Sequence, residues 1–339
     1  MPITARVMFQ RVFFGLLAIV VLVFLFQQDA WIAGSAVQNP GRIASLLQRG
    51  SVIPLLFFAV FVAASSEMTR MLRANGLKPH GALATWMIMA IVLTPWLSAG
   101  GFLGSTLRDE EGLYWPLALM MFTVLGATTL TVFRGDPAGA IRDTGATVFM
   151  VFYLGFLGSF GLQIRCSSDV PLQEGVWLLL ITILVTKCSD IGAFFTGTAI
   201  GRHKLAPSIS PGKSIEGFFG GLCASALAGA GFAGIGGLLA ELGGPGWLRT
   251  ATEVTTRTFS TRFESGGLSP VLRGVIFGLI MSALGQLGDL FESCLKRDAG
   301  VKDSGNFIPK YGGILDLIDS PLMTMPAAWF LFTVVWNLM

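Results

Sequence analysis

Long apolar runs alternate with short polar stretches along this chain, and the runs set its architecture. They cover residues 12–26, 52–64, 83–103, 113–133, 146–162, 176–186, 217–240, 271–291 and 321–339. A helix needs about 20 predominantly apolar residues to cross a bilayer, so the shorter runs draw on their flanks. The pattern predicts an all-α polytopic integral membrane protein with about nine transmembrane helices. The first run follows Arg6 and Arg11, and small residues follow it at 33–36, as in a signal peptide. With so many later spans it reads instead as a retained first helix. The run 217–240 is rich in Gly and Ala, which let helix backbones approach closely in a membrane; self-association as a homodimer is an expectation.

Composition agrees with this pattern. The chain has 339 residues, of which 53% are hydrophobic and only 13% charged, and its mean hydropathy is +0.70. Soluble globular proteins carry roughly 25% charged residues. The net charge of +3 is too small to argue for a nucleic-acid partner. Cys166, Cys188, Cys223 and Cys294 are scattered without a CxxC pair, which indicates neither a disulfide framework nor a zinc site. His80 and His203 are the two histidines, so a histidine metal site or a histidine general base is not indicated.

The basic residues set the expected orientation. Arg6 and Arg11, then Arg70, Arg73 and Lys78, then Arg134 and Arg142, then Arg202, Lys204 and Lys213, then Lys296, Arg297, Lys302 and Lys310 all fall on one side of the spans. That side, with the N-terminus and the polar loops, is expected to be cytoplasmic, at the inner membrane if the source is bacterial. Asp109, Glu110 and Glu111 fall on the other side. The connection after the seventh run mixes Arg249, Arg257 and Arg262 with Glu241, Glu253 and Glu264, and is a poor marker.

The candidate chemistry lies in the C-terminal half. The chain divides into N-terminal transmembrane helices, 1–165, and a catalytic transmembrane region, 166–339, with cytoplasmic loops at 187–216 and 289–319. Asp289 and Glu292 appear before their apolar run has ended. Ionisable groups cost about 2.5 to 3.5 kcal/mol each at the centre of a membrane helix, so acids here mark a site facing water or protein. Asp289, Glu292, Asp303, Asp316 and Asp319 are hard oxygen donors, and magnesium takes one or two carboxylates plus waters and substrate phosphates. Asp289 at one helix end and Asp319 before the next are expected to meet across the joining loop. Lys296, Arg297 and Lys302 supply charge for a polyphosphate. This combination suits phosphoryl or nucleotidyl transfer. Upstream, Asp190 precedes Gly197, Gly201, Arg202, Lys204, Ser210 and Lys213, an irregular basic stretch able to cradle phosphate. The competing structural reading pairs Asp289 with Lys296 inside the helix end, lets Asp316 and Asp319 cap the last helix, and treats the basic stretch as a topology signal.

At these residues the chain resembles the phosphatidate cytidylyltransferases, also called CDP-diacylglycerol synthases. The resemblance is carried by Ser293, Lys296-Arg297, Lys302-Asp303, Gly305, Ile308-Pro309, Gly312-Gly313, Asp316 and Asp319, which follow the family signature without a gap, and by the stretch from Ser189-Asp190 through Lys213-Ser214 to Gly217. Tyr311 stands where the family has His, and Leu317 where it has Arg. The resemblance implies magnesium-dependent transfer of the CMP moiety of CTP to phosphatidic acid, giving CDP-diacylglycerol and pyrophosphate. A monovalent cation beside the magnesium is left open. On these residues, Asp289 and Asp319 lead as metal ligands, followed by Asp190 and Asp316. Lys213, Lys296, Arg297 and Lys302 would meet phosphates, Glu292 and Asp303 would orient those cations, and Ser210, Ser214, Arg202 and Lys204 would line the substrate loop. Three other readings stay open: a CTP-dependent lipid or polyprenol kinase, which would release CDP; a membrane transporter; and, from the departures at Tyr311 and Leu317, a non-catalytic relative that only binds nucleotide or lipid.

Overall fold

The computed structural model describes residues 5–34, 46–47, 50–102, 113–166, 172–234, 246–260, 268–305 and 312–336. Among them, eight helices are long and apolar enough to cross a membrane, and the first helix adds a shorter apolar stretch, Ile19–Ala33. The chain is thus an all-α polytopic membrane protein, and each expected run overlaps one of these helices.

In chain order the helices are α1 (Ala5–Gly34), α2 (Val52–Ala74), α3 (Gly81–Ala99), α4 (Tyr114–Arg134) and α5 (Ala140–Cys166). Then come α6 (Leu172–Ile200), α7 (Ile215–Gly234), α8 (Gly246–Ser260), α9 (Pro270–Asp298) and α10 (Leu315–Val335). Both α5 and α10 pass through π-helical turns, Val151–Phe156 and Leu331–Val335. One small antiparallel hairpin, β1 (Lys204–Ala206) with β2 (Ser210–Ser214), interrupts the helices between α6 and α7.

The helices outrun the apolar segments that foretold them. α2 continues past Ala64 to Ala74, and α6 continues through Lys187 and Asp190 to Ile200. α9 carries Asp289, Glu292 and Lys296 before ending at Asp298, and α10 starts at Leu315, so Asp316 and Asp319 are helical. The expected loops 187–216 and 289–319 therefore shrink to about 201–214 and 299–314. Hydropathy marks contact with lipid, whereas a helix persists into water for as long as its backbone bonds are made. The connection after the seventh run also holds more order than expected. It contains α8, which buries Val254, Thr255, Thr258 and Phe259 and exposes Arg257 to pair with Glu174 of α6.

Small residues set the closest helix crossings. A Cβ added to Gly229 of α7 would lie 2.1 Å from the Gly274 carbonyl oxygen of α9, and one added to Gly278 would lie 2.1 Å from that of Ser225. Such contact replaces side-chain packing with backbone packing. Around this pair sits an aromatic cluster in which Phe277 stacks on Phe332 at 5.4 Å between ring centroids.

The two ends of the bundle differ. At one end Arg165 of α5 donates to Asp29 of α1 at 2.7 Å, with both side chains fully buried. Asp29 also accepts the Val52 and Ile53 N–H groups at 2.9 and 3.1 Å and so caps α2. The opposite end gathers the hairpin and the ends of α2, α6 and α9 with the starts of α3, α5, α7 and α10. Asn75 bonds Asp298 there, and the Lys78 N–H donates to Asp143 at 2.9 Å.

Candidate active site

α9 and α10 cross at Gly288. A Cβ at that position would lie 2.5 Å from the Asp319 carbonyl oxygen, so no larger residue lets the two backbones meet this closely. The crossing brings Asp289, the next residue on α9, to the level of Asp319 on α10. Asp319 is buried, whereas the Asp289 side chain is 36% exposed. The Lys213 ammonium of β2 lies 2.7 Å from Asp289 Oδ2 and reaches the Gln286 carbonyl oxygen at 3.5 Å. On α6, Lys187 donates to Asp190 at 3.0 Å. Lys187, Asp289 and Asp190 are charged neighbours of Asp319. Three carboxylates and two ammonium groups thus converge from α6, β2, α9 and α10.

Among the described residues, no three His, Cys, Asp or Glu side chains stand close enough to form a ready-made metal cage. Magnesium does not require one: it is held by one or two carboxylates and completes its octahedron with waters and substrate phosphates. An all-oxygen set led by Asp289 and Asp319, with one member exposed and the other buried, fits that mode.

A second cluster lies one turn closer to the end of α9. Lys296 pairs with both Glu292 and Asp316, the latter at 2.5 Å. The Glu292 side chain is wholly buried behind Lys296. Asp316 Oδ2 accepts the Gly313 N–H at 2.7 Å and the Ser304 hydroxyl at 2.8 Å. Both Asp316 oxygens are therefore engaged within the protein, and Glu292 faces Lys296 instead of an open substrate cleft. The pairing of Asp289 with Lys296 considered from sequence is replaced by Lys213–Asp289 and by Glu292–Lys296–Asp316. Neither acid caps the first turn of α10: Asp316 accepts the Gly313 N–H, which precedes the helix, and Asp319 Oδ1 accepts the N–H of its neighbour Ser320 at 2.6 Å.

The remaining expected residues ring these clusters. Arg297 donates to the carbonyl oxygens of Ile209 at 3.3 Å and Val301 at 3.4 Å, which ties the hairpin turn to the end of α9. Lys302, Asp303, Arg202 and Lys204 are exposed at the same end. The Arg202 and His203 N–H groups donate to Glu216, which holds the approach to the hairpin against the start of α7. Ser210 is half-buried on β2. Ser214 is buried, and its Oγ accepts the Gly217 N–H at 3.1 Å as the cap of α7. Leu317 is exposed on α10, and Tyr311 lies outside the described residues.

Two participants escaped the sequence reading of the site. Lys187 looked like one polar residue at the end of a span. Glu67, on α2, is 2% exposed and accepts hydrogen bonds from Ser304, Ile314 and Leu315. The one signal for it was an acid just past an apolar run, with no neighbouring motif.

A family model described as cytidylyltransferase family matches residues 9–335. The chain is 31% identical over 280 residues to a phosphatidate cytidylyltransferase of Bacillus subtilis (strain 168), covering 82% of this chain and 87% of that protein. It is 30% identical to the phosphatidate cytidylyltransferase of Staphylococcus epidermidis (strain ATCC 12228 / FDA PCI 1200), over 83% of this chain and 90% of that one. A phosphatidate cytidylyltransferase of Mycobacterium bovis is also 30% identical, over 84% and 80% respectively. With a family model spanning nearly all of it and these relatives aligned over most of their length, the chain belongs to the cytidylyltransferase family of membrane enzymes.

Proposed function

We propose that this enzyme transfers the cytidylyl group of CTP to the phosphate of phosphatidic acid, releasing pyrophosphate and forming CDP-diacylglycerol. The observation that carries the reading is the Gly288 crossing, with Asp289 and Asp319 at one level and Lys213 against Asp289. The relatives are named for the same substrate. By the bias of basic residues, this end of the bundle faces the cytoplasm, where CTP is found.

An oxygen of the lipid phosphate attacks the α-phosphorus of CTP. The new P–O bond forms as the bond to the α,β-bridging oxygen breaks, and the electron pair leaves on pyrophosphate. The attacking group is already an anion, so no strong general base is needed, in keeping with a site that gathers carboxylates and ammonium groups without a histidine. Asp289 and Asp319, with Asp190 beside them, would hold magnesium. When bound, magnesium would neutralise and align the phosphate oxygens of both substrates. Lys213 is held at the site by Asp289 and can turn to a phosphate of CTP when the nucleotide arrives. Lys296, fixed by Glu292 and Asp316, keeps a positive charge at the rim for the leaving pyrophosphate. Arg297 orders the hairpin turn over the same space.

The reading is tested with CTP labelled either in the α- or in the γ-phosphate and incubated with phosphatidic acid vesicles and purified protein. Transfer predicts that the α-label enters lipid and the γ-label leaves as pyrophosphate. Entry of the γ-label into lipid, with release of CDP, would make the enzyme a kinase and refute the proposal.

A further inference from the structure

We propose that Glu67 is a positioning residue for this transfer: from α2, outside the catalytic half of the chain, it fixes the start of α10 and so sets Asp319 against Asp289. The proposal rests on the reading of the site given above.

The geometry is specific. Glu67 Oε1 accepts the Ile314 N–H at 3.0 Å, and Oε2 accepts the Leu315 N–H at 2.9 Å and the Ser304 hydroxyl at 3.2 Å. The first N–H groups of any helix lack intrahelical acceptors. Ile314, the residue that precedes α10, supplies no side-chain cap. The cap comes instead from a residue 247 positions away in the chain. Ser304 has one hydroxyl proton and lies within reach of both Glu67 Oε2 and Asp316 Oδ2, so it can donate to one of them at a time and joins the two carboxylates. Asp316 in turn holds Lys296. Glu67 is thus the far anchor of a chain that runs through Ser304 and Asp316 to the cationic rim, and Asp319 follows one turn along the helix that Glu67 caps.

The same carboxylate accounts for two glycines of the loop. A Cβ at Gly305 would lie 2.4 Å from Glu67 Oε1. One at Gly313 would lie 2.3 Å from Glu67 Oε2 and 2.1 Å from the Ser304 hydroxyl. These positions are bare because the Glu67 carboxylate passes through the space that side chains would fill. An ionisable group buried in a spanning helix is retained only where it is paired or functional. Here the groups it accepts from all belong to the loop and to the start of α10.

Glu67→Gln keeps the shape but offers one acceptor oxygen and sets an NH2 against backbone N–H donors. The expected result is a fall in kcat of about 10²-fold, because small displacements of reacting groups have effects of that size. KM for CTP should change little, the magnesium concentration for half-maximal rate should rise, and Glu67→Asp should recover part of kcat. A role confined to folding would instead lower the folded fraction and leave kcat per folded molecule, and its magnesium dependence, at wild-type values; that outcome overturns the proposal. Should Glu67→Gln fail to fold, Gly305→Ala gives a second route. It should lower kcat and melting temperature alone, yet add nothing further in a Glu67→Ala background. Additive losses in that cycle would overturn the proposal. The melting-temperature arm reads the contact even if the enzyme transfers a different group of CTP, which separates failure of this inference from failure of the proposed reaction.

Discussion

The Lys213 ammonium lies 2.7 Å from the Asp289 carboxylate, and this one pair ties the cytidylyltransferase's small hairpin to its central helix crossing. Lys213 is a half-buried residue of β2, held over the site by an acid that would also bind metal. Charge-assisted contacts of this kind are worth about 1.5 to 3 kcal/mol. Lys213→Met should therefore raise KM for CTP by about 10- to 100-fold while the lipid dependence stays close to wild type. Steady-state kinetics with CTP varied at fixed lipid checks this, and an unchanged KM would remove Lys213 from nucleotide binding.

Gly288→Ala should separate α9 from α10. The new methyl group would meet the Asp319 carbonyl oxygen at 2.5 Å, and backbone cannot yield as a flexible side chain can. Overpacking of a tight contact costs about 1 to 3 kcal/mol. The variant should melt lower in detergent and lose most of its activity. Gly246→Ala, where the added atom meets nothing within 4 Å, should do neither.

How far such features could be read in advance depends on what the residues contact. Eight of the nine expected spans are present among the described residues and the first appears as a shorter apolar helix, because lipid contact demands apolar side chains and leaves that record in the sequence. The apolar runs stop short of the helix ends at Ala64, Thr186, Phe291 and Pro321, where polar side chains leave the lipid but the backbone stays helical. The acids and cations of the site were legible because they cluster along the chain and follow a family signature. Glu67 was not legible as part of the site. Its partners are two backbone N–H groups and a serine more than 200 positions away, and backbone groups carry no sequence mark. Asp316 looked like a metal ligand because nothing in the sequence shows that Lys296, Ser304 and Gly313 already use its oxygens.

The opposite end of the bundle gives a stability prediction. Asp29→Asn keeps an acceptor for the cap of α2 but removes the negative charge that faces Arg165 in a fully buried setting. Breaking a buried pair by removing one member costs about 3 to 5 kcal/mol. The variant should yield less folded protein in membranes, and the folded fraction should keep its KM for CTP. A raised KM would mean that this end communicates with the site.

His80, just before α3, makes stability depend on pH. Burial holds its imidazole below the ordinary value of 6.5, and the Arg134 guanidinium beside it pulls the same way, against a weaker opposite pull from Asp143. Arg134 lies 3.3 Å from Nδ1, so the neutral ring carries its proton on Nε2 and donates to Thr131 at 3.0 Å. A folded-state pKa below the unfolded one means that the unfolded chain binds the extra proton first. This contribution to stability is complete above about pH 6.5 and is lost as pH falls through the window beneath it. His80→Gln should flatten the drop in melting temperature between about pH 7 and pH 5. Parallel curves for variant and wild type would contradict the assignment.

The central claim is that Asp289 and Asp319 act together on one ion at the crossing of α9 and α10. It is tested most directly by assaying α-labelled CTP and phosphatidic acid with purified wild type, Asp289→Asn and Asp319→Asn, each titrated with magnesium. The account predicts magnesium-dependent labelling of lipid by wild type, and near-complete loss in each variant with melting temperatures still in the folded range. Full labelling by either variant, or labelling by wild type that persists when magnesium is chelated, would contradict it.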